Sequence, residues 1–220
     1  LAHMSQDVAW MEAFRAGADI HARTAAEVFG IGMDQVTPAL RNAAKAINFG
    51  IVYGISSFGL AKGTGLSVQQ AQAYIDKYFE KYSGVKAYLD NTIKETREKG
   101  YITTLFNRRR YLPDIHSRRW AQRNFAERAA MNAPIQGTAA DIIKQAMVVL
   151  ERKLATCELR AEMLLQVHDE LVFEVHKDDI LSTVQLVKET MEGIVTLDVP
   201  LVVEVKVGSN WRDVVAVSLR

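Results

Sequence analysis

LLQVHDELVFEV, Leu164 to Val175, holds two runs of strand-forming residues with His168, Asp169 and Glu170 wedged between them. Branched and aromatic residues suit a pleated, half-buried surface, and a polar break between two such runs marks the bend of an antiparallel hairpin. In that reading Leu164, Val167, Leu171 and Phe173 anchor the strands, and Asp169 stands out at a rigid tip. Adjacent strand residues face opposite ways, so Asp169 and Glu170 diverge unless the turn redirects them. The residues before this hairpin follow a helical period. The expected fold class is therefore α+β, mostly helical, with antiparallel pairing concentrated in the last third.

The hairpin belongs to a chain of 220 residues, 49% hydrophobic, which is enough for one large domain or two small ones with a real core. No window approaches the roughly 18 apolar residues of a membrane span, and the N-terminus lacks a secretory pattern, so a soluble, cytoplasmic protein is expected. The single cysteine, Cys157, excludes an intrachain disulfide framework and a thiolate metal cluster. Net charge is only +1, but its distribution is uneven. RRRYLPDIHSRRWAQRNFAER, Arg108 to Arg128, sets seven arginines against two acids and interleaves Tyr111, Trp120 and Phe125. That mixture fits a phosphate-backbone partner, although a solvated helix face would look similar.

Upstream, Trp10, Met11 and Phe14 recur at helical spacing, and DIHARTAAEVFG reads as a helix stopped by Gly30. VTPALRNAAKAINFGIVYG places Thr37 to cap a helix and Pro38 at its first position, where the missing donor costs nothing. SSFGLAKGTGLS reads as a loop, with a helix starting near Ser67 and another running from about Val85 to Lys99, ended by Gly100. YITTLF has strand character. A long helix is expected from about Ser117 to Ala155, kinked or broken by Pro134, followed by the hairpin, a helix in DILSTVQLVKETMEGIV and a strand in PLVVEVKVG.

Two helical stripes carry chemistry. Arg41, Lys45, Phe49 and Tyr53 lie four apart and span about 18 Å, cationic at one end and aromatic at the other. Two cations beside a positive helix N-terminus suit phosphates, and a ring suits a base or sugar. Any amphipathic helix offers some such stripe, so spacing alone also fits ordinary surface. Arg128, Asn132 and Gln136 repeat the pattern, and their amides carry the donors and acceptors that suit minor-groove edges. Capping or plain exposure would give the same spacing. Asp169 is a hard oxygen donor of the kind Mg²⁺ takes, and equally an ordinary acidic turn residue.

Taken in order, these stretches resemble the motifs of family A DNA polymerases. RNAAKAINFGIVYG is similar to the family's fingers-helix motif, RAAMNAPIQGTAAD to its long palm helix and LLQVHDELVFEV to its palm hairpin. LAHMSQD, DIHARTAAEVFG and TLFNRRRYLPDI also match, so the likeness covers essentially the whole chain. It implies mostly helical fingers over residues 1–105 and a partial palm over 106–220.

The resemblance also implies roles. Arg41 and Lys45 would bind the incoming deoxynucleoside triphosphate, with Lys45 protonating the leaving pyrophosphate and His21 assisting at the phosphates. Phe49 would lie on sugar and base, where its lack of a hydroxyl disfavours dideoxynucleotides, and Tyr53 would sit by the templating base. Arg128, Asn132 and Gln136 would touch primer-template DNA, and His168 the primer terminus. Asp169 would be a catalytic metal ligand for Mg²⁺, two ions in the complete enzyme, with Glu170 a supporting neighbour. The implied activity is DNA-templated addition of deoxynucleotides to a primer, in a monomer that forms part of a larger polymerase chain.

Three departures stand out. Asn42 replaces a second arginine that many members carry, and Asn107 replaces a glycine. Family members also hold a second metal-binding aspartate in a motif like DYSQIELR just before LAH, where this chain begins. The thumb and any exonuclease domains lie further upstream. The expectation is that the 220 residues alone hold nucleotide or duplex DNA without catalysing transfer, Asp7 and Asp19 being poor substitutes in helical context.

Overall fold

The computed structural model describes residues 1–217, in two compact units, Leu1–Thr138 and Ala139–Arg220. In the first, α1 (Ala2–Ser5), α2 (Val8–Arg15), α3 (Ile20–Phe29), α4 (Pro38–Val52), α5 (Ser57–Thr64), α6 (Val68–Lys81) and α7 (Ser83–Lys99) lead into β1 (Tyr101–Thr103) and β2 (Arg109–Tyr111). Residues 120–138 of α8 (Trp120–Thr156) complete it.

Side-chain chemistry sets these boundaries. Asp19 caps α3 by accepting from the amides of His21 and Ala22, and Gly30 ends that helix in a left-handed conformation. Thr37 caps α4 with Pro38 behind it, and Ser67 forms a capping box with Gln70 at the start of α6. The expected loop at SSFGLAKGTGLS is instead α5. Its glycines lower helix propensity, but Ser56 caps it and burial of Leu60 and Ala61 outweighs that cost. The tight turn between β1 and β2 sets Asn107 at φ 61°, which asparagine tolerates almost as well as the family's glycine.

The core of this unit is built from Val28, Ile47, Leu60, Tyr78, Tyr82 and Val85, all essentially inaccessible to solvent. Tyr82 stacks edge-on against Trp10 and Tyr78, with ring centroids 5.9 and 4.8 Å apart. A second cluster joins Ile102, Leu112 and Ile115 to Ala126, Ala130 and Ala133 of α8. Of the expected kink or break at Pro134, the break does not occur: α8 is helical through it, its preceding turns packed into this cluster by Ala126, Ala130 and Ala133. The lost donor would have served the carbonyl of Ala130, a residue wholly buried in that cluster.

In the second unit, residues 139–156 of α8 are followed by β3 (Ala161–Val167), β4 (Glu170–Val175), α9 (Ile180–Glu192), β5 (Lys206–Gly208) and β6 (Val214–Ala216). β3 and β4 pair antiparallel, Val167 opposite Glu170, and the register shifts between Met163 and Leu165. Leu164 therefore falls at an irregularity and is 47% exposed rather than anchoring a strand. Ile143, Ala146, Leu150, Val184 and Val187 are buried. Of the alternating run PLVVEVKVG the end, β5, is paired as a strand with β6 among the described residues, and the Val205 carbonyl just before it accepts from the Val217 amide.

Ile47→Ala is expected to destabilise the first unit by about 2–5 kcal/mol, since it deletes buried methyl groups from a filled core. A urea titration followed by Trp10 fluorescence would show it, and an unchanged midpoint would mean that the packing around α4 does not limit stability.

Candidate functional site

The 3.6-residue period gives α4 two faces. Ala44, Ile47, Asn48 and Ile51 are buried, while Lys45, Phe49 and Tyr53 are exposed and Arg41 is partly so. At its N-terminal half α4 meets α3. There the Arg41 Nε donates to Asp19 Oδ2 at 2.5 Å, the Lys45 ammonium lies 5.8 Å from the centre of the Phe49 ring, and the His21 ring faces Phe49 at 5.8 Å. The structure thus brings His21, Arg41, Lys45 and Phe49 together and adds Asp19.

Charge tunes this cluster. The hydrogen bond from Arg41 is the main reason the Asp19 carboxyl titrates below its ordinary range, helped by the amides it caps. Burial is the main reason the His21 imidazole is pushed below its usual value; Asp19 opposes this, while Arg41 and Lys45 reinforce it. Neutral His21 is favoured. Its Nδ1 lies 3.0 Å from the amide nitrogen of Asn48, a residue only 3% exposed.

Tyr53, at the other end of the stripe, meets α8. The Gln136 amide donates to the Tyr53 hydroxyl at 2.9 Å. Gly54, at φ 64°, sits so close that a Cβ there would lie 2.3 Å from Met131 Cε and 2.8 Å from Arg128 Cγ. Asn132 has a buried Oδ1 without a partner among the described residues. Here the two stripes converge within one unit.

The basic block is partly spent on the fold. Arg108 donates to the Gly137 carbonyl at 2.9 Å, Arg109 lies over the Tyr101 ring, and Arg123 approaches Glu127 at 4.0 Å. Tyr111, Trp120 and Phe125 remain more than 60% exposed. In the second unit His168 occupies the left-handed region at φ 54°, with Asp169 after it in the turn; His168, Asp169 and Glu170 are all exposed. The Asp169 carboxylate makes no hydrogen bond or ion pair among the described residues. No group of three metal-ligating side chains occurs among them.

A family profile described as DNA polymerase family A matches residues 1–213. The chain belongs to DNA polymerase family A. Curated DNA polymerase I proteins from Bacillus caldotenax and Bacillus subtilis are 53% and 52% identical over 213 residues, 97% of this chain. This family A chain spans about a quarter of their length, 24% in both. The polymerase domain of Pol1 from M. smegmatis, in complex with DNA primer-template and dNTP, has a TM-score of 0.88 and 44% identity, covering 91% of this chain and 35% of that one. The α+β class agrees with that structure. Catalytic inactivity, expected from a motif this chain does not contain, finds no support in these matches.

Two residues of the cluster escaped the sequence reading. Asp19 was weighed only as a stand-in metal ligand, although a carboxylate just before a helical run is a capping signal. Asn48 is an amide inside the apolar face of α4, and that break in pattern was its only signal.

Asp19 should make stability pH-dependent. Because its folded-state value is depressed, its contribution is complete above the ordinary carboxylate range and disappears as pH falls through the lower folded value. Asp19→Asn keeps a capping oxygen but loses the pair with Arg41, so the cost at neutral pH should stay below about 1 kcal/mol for so exposed a pair. The acid-side loss should shrink in urea titrations run at neutral and acid pH. A variant with the parent's full acid dependence would remove Asp19 from that role.

Proposed function

We propose that this chain supplies the nucleotide-handling fingers, residues 1–105, and part of the palm, residues 106–220, of a DNA-templated DNA polymerase. The observation that carries the reading is the gathering of Arg41, Lys45, His21 and Phe49 where α3 meets α4. Two cations, a donor ring and an apolar ring on one face match the phosphates and sugar of a deoxynucleoside triphosphate.

In this reading Arg41 exchanges Asp19 for a phosphate, and Lys45, which has no carboxylate partner among the described residues, binds the phosphates and hands its proton to the departing pyrophosphate. The primer 3′-hydroxyl oxygen bonds to the α-phosphorus as the bond to pyrophosphate breaks, and the hydroxyl proton leaves to solvent. Phe49 packs on the sugar and base, and Tyr53 monitors the templating base. Arg128, Asn132 and Gln136 hold primer-template DNA, with His168 at the primer terminus.

Asp169 is the proposed Mg²⁺ ligand, supported by Glu170. An exposed carboxylate free of internal partners fits a metal that takes one or two protein carboxylates and completes its shell with substrate phosphates and water. What Mg²⁺ supplies when bound, as two ions in a complete polymerase, is charge neutralisation at the attacking and leaving oxygens. No helix among the described residues is long and apolar enough to cross a membrane. We place the protein in the cytoplasm, acting as a monomer within a larger polymerase chain, because its proposed substrates are there.

In a full-length polymerase carrying this chain, Asp169→Ala should lower primer extension by more than about 10³-fold, several kcal/mol of transition-state stabilisation, and leave primer-template affinity nearly unchanged. Surviving extension would remove Asp169 from the metal site. Lys45→Ala should both raise KM for nucleotide and lower kcat. A normal rate at every nucleotide concentration would exclude Lys45.

A further inference from the structure

A line of buried polar groups connects His21 to Glu27, a carboxylate further along the same helix, α3. Glu27 Oε1 takes two cations, Arg23 Nε at 3.1 Å and Lys81 Nζ at 3.4 Å. Its Oε2 accepts from the Tyr82 hydroxyl at 2.5 Å. The Tyr82 oxygen lies 3.4 Å from Thr24 Oγ1, which lies 3.1 Å from Asn48 Nδ2, which in turn lies 3.0 Å from His21 Nδ1. Thr24, Asn48 and Tyr82 are at most 3% exposed. Burial, followed by the bond to Glu27, pushes the Tyr82 phenol well up, so its proton stays in place.

The line has a direction. An ion-paired carboxylate can only accept, so Tyr82 donates to Glu27, and the Thr24 hydroxyl proton is shared between the Tyr82 oxygen at 3.4 Å and Asn48 Oδ1 at 3.2 Å. Thr24 then accepts from Asn48 through one amide N–H, and the second N–H points at His21 Nδ1. Turned over, the Asn48 amide would face the ring with its oxygen and leave one buried N–H without an acceptor, a costlier vacancy than an under-used carbonyl. An imidazole that accepts at Nδ1 carries its proton on Nε2.

We propose that Asn48 is a positioning residue that, anchored through Thr24 and Tyr82 to Glu27, locks neutral His21 as the Nε2–H tautomer. The ring then presents a hydrogen-bond donor to the phosphates of an incoming nucleoside triphosphate without needing to become charged. The second half of this inference rests on the triphosphate reading above; the first half does not. A neutral donor suits this place, because burial, opposed by Asp19 and reinforced by Arg41 and Lys45, already disfavours a third cation.

Nitrogen NMR of the ¹⁵N-labelled chain, with His21 assigned through its loss in His21→Gln, tests the tautomer directly. At a pH where His21 is neutral, Nδ1 should report as unprotonated and Nε2 as protonated. Asn48→Asp, an isostere that accepts where asparagine donates, should move the proton to Nδ1. A wild-type ring protonated at Nδ1, or a ring indifferent to Asn48→Asp, overturns the proposal.

For the functional half, Asn48→Ala in the full-length polymerase should raise KM for deoxynucleotide about tenfold, the worth of one hydrogen bond to a charged group, with primer-template affinity unchanged. The same substitution in a His21→Ala background should add nothing. An equal increase in that background would mean that Asn48 serves packing alone. If the tautomer responds to Asn48→Asp but His21→Ala leaves KM unaltered, the orientation of the ring stands and the triphosphate assignment of His21 falls.

Discussion

The packing of α4 on α3 constrains everything proposed for the first unit. A helix of fifteen residues has one period with which to satisfy two demands. Ala44, Ile47 and Ile51 must leave water to hold the helix in the unit, and the same geometry sends Arg41, Lys45, Phe49 and Tyr53 outward at intervals of four. The face proposed to bind nucleotide cannot be separated from the face that folds. A shift of one residue in this helix would rotate its cations away from His21 and expose Ile47 at once.

The cost of that arrangement falls on polar atoms. Asn48 stands on the buried face, and Thr24 stands opposite it on α3, so each needs a partner inside the protein. They find one another, Tyr82 finds Glu27, and Glu27 pairs with Arg23 and Lys81. A network satisfied in this way is rigid, and its rigidity reaches the half-buried His21 ring through a single amide.

Electrostatics at the cluster follow from proximity. Asp19 caps one helix and pairs with a cation of another, so it joins α3 to α4 and occupies Arg41. His21 lies between that carboxylate and the cations of α4, and burial keeps it neutral. The hairpin tip in the second unit is the opposite case, an exposed carboxylate with no hydrogen bond or ion pair among the described residues, which suits the metal ligand proposed there.

Much of this was legible in the residues. Thr37-Pro38, Ser67 with Gln70, Gly30 and Gly100 announce helix ends because capping is a local matter of one side chain and the nearest amides. The bend at His168-Asp169 shows in the break between two apolar runs, and the stripes of Arg41 and Arg128 follow from the helical period. What failed was whatever depends on neighbours distant in sequence. The Gly-rich α5 is held by burial, α8 continues through Pro134, and among the described residues PLVVEVKVG forms a strand only over β5. Local chemistry alone determined which side chains share a face. Only the tertiary structure decided that Asp19 would hold Arg41, that Gln136 would reach Tyr53, and that Asn48 would be tied to a carboxylate through two hydroxyls, because hydrogen bonds between distant elements leave no periodic trace in the chain.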